Sequence, residues 1–212
     1  MKTCLLALCA ALAFAGTAGT VCADDVAVLH FRTGDQMKRV VFEFYPQAAP
    51  VTVENFKKLA CSHFYNGTAV HRIFPGKMVQ MGDPLSKKKG NPGIGTGGPG
   101  YTLPLEPGCK HIAGAVAAAR LPDQINPARR SNGSQFYITL IPAPALDGQY
   151  TVFGHVIEGL DALESISRSD TDTNDAPVTR VVIESVQIVP REAAAQGDPK
   201  PGRAGKLFRS LF

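Results

Sequence analysis

The chain has 212 residues, of which 44% are hydrophobic and 19% charged, and its formal net charge is +4 at pH 7. One domain of this length buries a sizeable core, so a single domain with short appendages is expected. Much of the positive charge comes from Lys2 and from the basic stretch after Gly197, which leaves the body of the chain close to neutral. A neutral body argues against nucleic acid as a partner, because that binding depends on clustered positive charge.

The first 23 residues have the form of an export signal. Lys2 precedes an apolar run over 5–15, and small residues follow up to Ala23, a pattern typical of a segment that is removed after export. The apolar run is too short for a membrane span. We therefore expect a protein that begins near Asp24 and is periplasmic or secreted. Cleavage before Cys22 with lipid anchoring is the alternative, which the residues ahead of that cysteine fit poorly.

Removal of the signal leaves two cysteines, Cys61 and Cys109. Disulfides form in exported proteins. The spacing of two cysteines along the chain does not say whether they meet in space, so the sequence leaves their state open.

The mature chain is expected to start with a hairpin and a helix. Valine-rich and aromatic-rich runs at 26–31 and 38–45 flank a Thr-Gly-Asp turn at 33–35, which predicts two antiparallel strands. In the segment 50–61 the apolar side chains recur at helical spacing, and Pro50 suits a first helical turn. A short helix is predicted there.

Glycine and proline dominate 90–108, a composition that excludes a helix. The elements predicted after it are strands at 113–119, 134–140 and 150–157, a brief helix at 159–166, and at 178–189 enough strand-like sequence for a final pair of strands. Many short strands with two helices indicate a mainly β fold, an antiparallel barrel or sandwich.

The composition changes abruptly near residue 192. The polar, proline-rich and glycine-rich content of 193–212 predicts a flexible basic C-terminal tail after a domain spanning 24–192. Aromatic and basic residues alternate at its end, so it would suit weak contact with a membrane surface or another protein. A disordered end is the alternative interpretation.

The sequence argues against three familiar kinds of functional site. The stretch 93–98 fits the spacing G-x-G-x-x-G, but no helix follows to meet a phosphate. The five histidines lack the short spacings of metal ligands. Ser134 lies in NGSQF, which lacks the nucleophile elbow of serine hydrolases. No metal or other cofactor is expected.

Five motifs in chain order carry a resemblance: AVHRIFPGKMVQMGD, GTGGPGYTLP, HIAGAVAAAR, NGSQFYITL and LDGQYTVFGHVIEG. Over about residues 26–190 the chain resembles the cyclophilin family of peptidyl-prolyl cis-trans isomerases. The resemblance implies a closed eight-stranded antiparallel barrel capped by two α-helices, with a substrate groove on the outside. It also implies a cofactor-free enzyme acting on X-Pro segments of unfolded or folding proteins. The export signal would place those substrates outside the cytoplasm, and a monomer is expected.

The resemblance also implies the site. Arg72 would donate a hydrogen bond to the proline nitrogen as the amide twists, and Gln80 would hold Arg72 and contact substrate. The other implied substrate-binding positions surround the peptide and the proline ring: His71, Lys77, Met78, Ala119, Arg120, Gln135, Tyr137 and Leu146. The backbone at Ala119 and Arg120 would bind the peptide chain.

Several positions depart from the family pattern. Lys77 stands in the proline pocket in place of a phenylalanine, which leaves a second hypothesis open: a peptide-binding module or holdase chaperone with weakened catalysis. Tyr137 replaces another phenylalanine and adds a hydroxyl that needs a partner. Ala145 replaces a tryptophan or histidine that contacts cyclosporin, so weak cyclosporin binding is expected. The loop 121–130 is longer than usual, and would tune substrate choice or simply be solvated.

Overall fold

The computed structural model describes residues 24–197, so the predicted export signal and residues 198–212 lie outside the described residues. The described part has ten strands: β1 (Asp25–Thr33), β2 (Gln36–Phe44), β3 (Arg72–Phe74), β4 (Met78–Met81), β5 (Thr102–Leu103), β6 (Ala115–Ala118), β7 (Ser131–Asn132), β8 (Phe136–Thr139), β9 (Val152–Glu158) and β10 (Val181–Pro190). It has three α-helices, α1 (Pro50–Cys61), α2 (Leu160–Ser167) and α3 (Arg191–Ala195), and two 3-10 turns, Pro84–Lys87 and Pro144–Leu146. None of the helices between residues 24 and 197 is both long and apolar enough to cross a bilayer.

Eight strands form one antiparallel sheet in the order β10-β1-β2-β9-β6-β8-β4-β3, and β5 pairs with β7 in a separate ribbon. The expected closed barrel is not supported, because the sheet curls into an open half-barrel whose edge strands β3 and β10 do not pair. The chain ahead of β3 meets β10 only briefly, at a bridge between Ala69 and Val182 with three backbone hydrogen bonds between residues 67–70 and 181–183. Strand β3 is only three residues long, so the contact does not continue as a ladder.

The predicted hairpin is present as β1 and β2, and the first two helices lie where the pattern placed them. The final segment is one long strand, β10, and not a pair, since no turn interrupts it. A third helix was missed. The boundary predicted at residue 192 falls inside α3, where Ala194 is buried and its carbonyl accepts a hydrogen bond of 2.7 Å from Arg39 Nη2.

The core lies inside the curl, under α1. Five aromatic rings form its centre, with centroids between 4.9 and 6.4 Å apart: Phe42, Phe56, Tyr65, Phe136 and Phe153. Most of these pairs are edge-to-face, and aromatic pairs stabilise a core by about 0.5–1.5 kcal/mol each beyond the area they bury.

The strands also shape the outer face of the sheet. Successive side chains of a strand point to opposite faces, so Phe136 and Ile138 of β8 enter the core while Tyr137 lies on the outside. On the neighbouring β6 the outward residues Ala115 and Ala117 are small, and they pack beside Tyr137 together with Ala119, just after the strand. Small side chains next to larger ones leave a depression on this face.

The described residues contain two cysteines, Cys61 and Cys109, and both are free thiols. The question left open by the sequence is answered for this structure: the two do not form a disulfide.

Candidate active site

A groove of about 550 Å³ lies on the outer face of the sheet. Eight of the predicted site residues line it: Arg72, Met78, Gln80, Ala119, Arg120, Gln135, Tyr137 and Leu146. Four of them lie on β3, β4 and β8, which are neighbours in the sheet, and the other four lie in the segments between strands. We call this depression the outer groove. His71 and Lys77 do not line it, and both are described below.

Arg72 begins β3 and is about half exposed, with 47% of its side chain accessible. Its Nε donates to Asp175 Oδ2 at 3.3 Å, and its Cζ lies 4.4 Å from the ring centroid of Phe74. Arg72 and Phe74 share a face because they are two residues apart on one strand. Both terminal NH₂ groups are left without a hydrogen bond to any residue in the described range. The guanidinium is therefore held on one edge and open on the other.

The backbone around Asp175 holds its carboxylate where it accepts from Arg72. The residue has a positive φ of 62°, a conformation that aspartate and asparagine tolerate better than most residues. Its carbonyl accepts a hydrogen bond of 2.7 Å from Ile73 N. The loop is thus bonded to β3 next to Arg72. No sequence pattern indicated this residue, since it lies 103 positions from the arginine.

Gln80 lies opposite Arg72 in the pairing of β3 with β4, as the resemblance implied. Its amide, however, donates to Gln135 Oε1 at 3.0 Å, and the contacts of Arg72 are with Asp175 and Phe74. Gln135 in turn donates to the carbonyls of Gly95 and Gly97 at 2.9 and 2.8 Å. The two glutamines therefore fix one wall of the outer groove to the glycine-rich loop.

That loop wraps around a buried carboxylate and not around a phosphate. Asp83 is fully buried and accepts hydrogen bonds from the backbone N–H groups of Leu85, Gly95 and Gly97. A Cβ at Gly97 would lie 2.1 Å from Asp83 Oδ1, so only glycine allows this approach. The glycine spacing serves a tight loop, which agrees with its rejection as a nucleotide motif.

Lys77, predicted in the proline pocket, is exposed and does not line the outer groove. It lines a neighbouring hollow of about 400 Å³, together with Ile141 and Pro142. Lys77 lies in a tight turn in which its N–H donates to Phe74 O at 2.9 Å, and Phe74 and Met78 line this hollow as well as the outer groove. Lys77 thus lies beside the outer groove and not among its lining residues, where the resemblance implied a pocket floor.

Phe74 takes the aromatic position instead. It lines the outer groove with Met78, and the two residues face each other across the β3–β4 pair. Sequence reasoning missed Phe74, although its position two residues after Arg72 on a strand was a usable signal.

The hydroxyl of Tyr137 has the partner that it needs. It lies 3.0 Å from His111 Nε2, and His111 Nδ1 lies 3.0 Å from Asp147 Oδ1. A carboxylate only accepts, so Nδ1 carries the proton and Nε2 accepts from the tyrosine hydroxyl. Burial raises the pKa of Tyr137 far above its usual range, and hydrogen bonds from the backbone and ring of His111 lower the pKa of Asp147. The hydroxyl thus stays neutral and fixed beneath the outer groove.

Arg120 contributes a wall and a stretch of backbone. Its side chain is only 3% exposed, donates from Nε to Gln149 O at 2.9 Å and lies over the Tyr150 ring with Cζ 4.5 Å from the centroid. Its backbone N–H and carbonyl make no hydrogen bond within the described residues. Those of Ala119 are occupied, since Ala119 N donates to Gln135 O at 2.9 Å and Ala119 O accepts from Asn132 N at 2.7 Å. The peptide-binding backbone implied for both residues is therefore free only at Arg120.

The long loop 121–130 is fixed to this wall. Asp123 accepts from Arg120 Nη1 at 2.5 Å and from Arg129 Nη2 at 2.7 Å. These two guanidinium groups lower the pKa of the Asp123 carboxyl, with Arg129 the larger cause. Leu121 and Pro122 line the outer groove at the start of the loop.

His71 lies behind the outer groove. It is 8% exposed, and neither ring nitrogen makes a hydrogen bond of normal geometry within the described residues. Burial lowers the pKa of His71, an effect that nearby Asp83 opposes. The structure does not support its predicted contact with substrate in the outer groove.

Comparison with known proteins places this geometry in context. The profile of the family described as cyclophilin type peptidyl-prolyl cis-trans isomerase/CLD matches residues 28–188. Peptidyl-prolyl cis-trans isomerase B of Bacillus subtilis is 42% identical over 135 residues, which are 62% of this chain and 85% of that protein. Peptidyl-prolyl cis-trans isomerase-like 1 of Neurospora crassa is 36% identical over 170 residues, covering 80% of this chain and 97% of that one.

A solved structure is also similar. The crystal structure of a cyclophilin type peptidyl-prolyl cis-trans isomerase of Cryptosporidium parvum has a TM-score of 0.66 at 27% identity, and the match covers 78% of this chain and 97% of that one. The same protein was also crystallised in the presence of the dipeptide Ala-Pro.

Proposed function

Since this chain belongs to the cyclophilin type peptidyl-prolyl cis-trans isomerase family and is a peptidyl-prolyl cis-trans isomerase, we propose that it accelerates the folding of exported proteins by stabilising the twisted X-Pro amide with Arg72. The observation that carries the proposal is the open edge of the Arg72 guanidinium, which faces no other hydrogen-bond partner in the described residues while its other edge is held by Asp175. The rest of the mechanism follows from the chemistry of the amide.

An X-Pro amide turns slowly because conjugation gives its C–N bond double-bond character, with a barrier of about 18–20 kcal/mol. In the twisted transition state this conjugation is broken, so the proline nitrogen becomes pyramidal and gains a basic lone pair. A hydrogen bond to that lone pair is stronger in the twisted state than in either planar state, which is the condition for catalysis. Arginine suits the role because it stays protonated and presents fixed donors.

The remaining lining residues would hold the peptide while the amide turns. Phe74, Met78 and Leu146 offer apolar surface for the proline ring, and the neutral Tyr137 forms the floor. The free backbone of Arg120 would pair with the peptide chain as another strand does. No cofactor has a part in these steps.

The rival hypothesis, a groove that binds chains with little turnover, rested on Lys77 as a poor pocket floor. Phe74 supports turnover instead, since the ring restores the aromatic surface beside Met78. A holdase role would then be compatible with an active catalytic site.

An exported role is part of the same proposal. Its support is the sequence of the first 23 residues, which has the form of an export signal. X-Pro isomerisation takes tens of seconds unaided and limits folding in many chains. Proteins that fold outside the cytoplasm are therefore the proposed substrates.

The test is proline cis/trans exchange in a short Ala-Pro peptide, followed by NMR. The natural protein should accelerate exchange, and Arg72→Ala should lose about a hundredfold or more, as enzymes do when one transition-state donor is removed. Arg32→Ala, which removes an exposed arginine paired with Glu184 on β10, is the matched control. Unchanged exchange in folded Arg72→Ala would refute the mechanism. Binding without any exchange would favour the rival.

A further inference from the structure

A second cavity of about 680 Å³ lies behind Arg72. Its walls are the loop 86–94 and the loop 172–178, and its inner end is formed by residues 69–71. None of the comparisons or the mechanism above gives it a role. We refer to it as the second cavity.

Within residues 24–197, no residue lines both the second cavity and the outer groove, but residues adjacent in the chain line one or the other. His71 lines the cavity while Arg72 lines the groove, and Ile94 lines the cavity while Gly95 lines the groove. Asn174 and Ala176 line the cavity on either side of Asp175, which holds Arg72. A polypeptide bound in the outer groove therefore has the second cavity next to it.

The cavity has an excess of unpaired positive charge. Lys89 and Arg180 line it, and neither forms an ion pair within residues 24–197. Arg180 Nη2 donates only to carbonyl groups, at 2.7 Å to Ser86 O and 3.1 Å to Lys87 O. Lys87 and Lys88 extend the positive run along the same loop.

One carboxylate, Asp172, lies on the opposite wall. Its Oδ1 accepts from the backbone N–H groups of Asn174 and Ala176 at 2.8 and 3.0 Å, so the loop itself compensates part of its charge. Of the charged groups that line the cavity, two are cations and one is a partly neutralised anion, which favours an anionic occupant. The buried carboxylate of Asp83 near His71 is itself compensated by three backbone N–H groups.

A buried polar group at the inner end indicates that something polar enters. His71 is more than nine-tenths buried, lines the second cavity, and makes no hydrogen bond of normal geometry at either nitrogen in the described part of the chain. A buried group left without a partner is costly, and such groups are rare without a ligand or water beside them. A neutral imidazole has one N–H to offer, which a carboxylate accepts.

We propose that the second cavity binds an acidic side chain of the same polypeptide whose proline occupies the outer groove. The enzyme would then prefer X-Pro segments with an aspartate or glutamate nearby. An extended chain advances about 3.3 Å per residue, so the acidic residue would lie within about four positions of the proline. This inference rests on the proposed function, because it takes the outer groove as the peptide site.

The experiment compares Ala-Pro peptides that carry glutamate, or glutamine as the matched neutral residue, at each position within about four residues of the proline. Binding to the full chain is measured by NMR titration, independently of turnover. At one position the glutamate peptide should bind about threefold more tightly, the size expected of a partly exposed ion pair. The amide signals of Lys89, Asn174 and His71 should shift with it.

Charge reversal provides the control. Lys89→Glu should abolish the preference for glutamate while leaving the exchange of a neutral Ala-Pro peptide unchanged. Lys58→Glu makes the same charge change on α1, which lines neither concavity, and should keep the preference. A peptide with lysine at the glutamate position should bind Lys89→Glu more tightly than it binds the natural protein.

The outcomes separate the two proposals. Equal binding of glutamate and glutamine peptides at every position, or a preference that survives Lys89→Glu, overturns the second cavity as an acidic subsite and leaves water as the partner of His71. Absence of exchange with every peptide overturns the proposed function, and the binding comparison still decides this inference.

Discussion

Replacement of Asp175 by asparagine tests how Arg72 is oriented. Asparagine keeps the size of the side chain, tolerates the positive φ of 62°, and preserves the backbone bond from Ile73 to residue 175. The variant loses only the negative charge of the carboxylate, whose Oδ2 accepts from Arg72 Nε at 3.3 Å. The variant therefore removes the electrostatic restraint and little else.

The structure sets the size of the effect. Both side chains are about half exposed, at 47% and 45%, so a water-like dielectric applies, in which two charges at this separation attract by about 1 kcal/mol. If that energy keeps the guanidinium aimed at the proline nitrogen, kcat/KM of Asp175→Asn falls about fivefold at low salt. Peptide binding should change less than turnover, because the restraint acts on the donor and not on the proline pocket.

The assay is NMR exchange at low and high ionic strength. At about 1 M salt the Debye length is about 3 Å, similar to the separation of the pair, so the natural protein should slow toward the variant while the variant stays constant. Asp170→Asn, whose carboxylate makes no contact with Arg72, is the control. Equal kcat/KM for Asp175→Asn and the natural protein at low salt would refute the positioning role.

Three further outcomes are expected. Phe74→Ala should weaken peptide binding about fivefold to tenfold, since it removes aromatic surface from the groove. Lys77→Ala should change the binding constant by less than about twofold. NMR titration measures both, and a larger loss in Lys77→Ala than in Phe74→Ala would contradict the assignment of Phe74 to the pocket. Tyr137→Phe should destabilise the fold by about 1–2 kcal/mol in urea unfolding, because it leaves His111 Nε2 buried without a donor; unchanged stability would show that water replaces the hydroxyl. Because burial lowers the pKa of His71 below 6.5, the unfolded chain binds the extra proton first, so stability should fall as the pH drops below about 6.5; His71→Gln should reduce that dependence, and an identical pH profile would contradict it.

The sequence predicts those parts of the molecule that local patterns determine. The hairpin and α1 follow from alternation and helical spacing. The family resemblance places Gln80 beside Arg72, and the two residues lie opposite each other in the β3–β4 pair. Side-chain direction after a turn does not follow from position in a motif. Gly76, with φ of 66°, turns the chain so that Lys77 leaves the groove while Phe74 stays.

Contacts between distant segments could not be predicted from local sequence patterns. Asp175 meets Arg72 across 103 positions, and His111 meets Tyr137 across 26, and neither pair has a spacing that a pattern records. The open edge of the sheet is a similar case, because closure depends on how two short segments approach each other in space and not on the propensity of either.

Asp83 connects the outer groove to the second cavity and yields the last prediction. Its carboxylate holds the loop that supplies Gly95 to the groove and Ile94 to the cavity. Asp83→Asn would replace one accepting oxygen by an amide NH₂ group that faces backbone N–H donors, and the lost acceptor costs about 1–3 kcal/mol at a buried site. The loop should loosen, so peptide exchange and the preference for glutamate should both decline in NMR exchange and titration, whereas Lys89→Glu removes only the preference. If Asp83→Asn reduced only peptide exchange or only the preference for glutamate, the outer groove and the second cavity would not depend on the same loop.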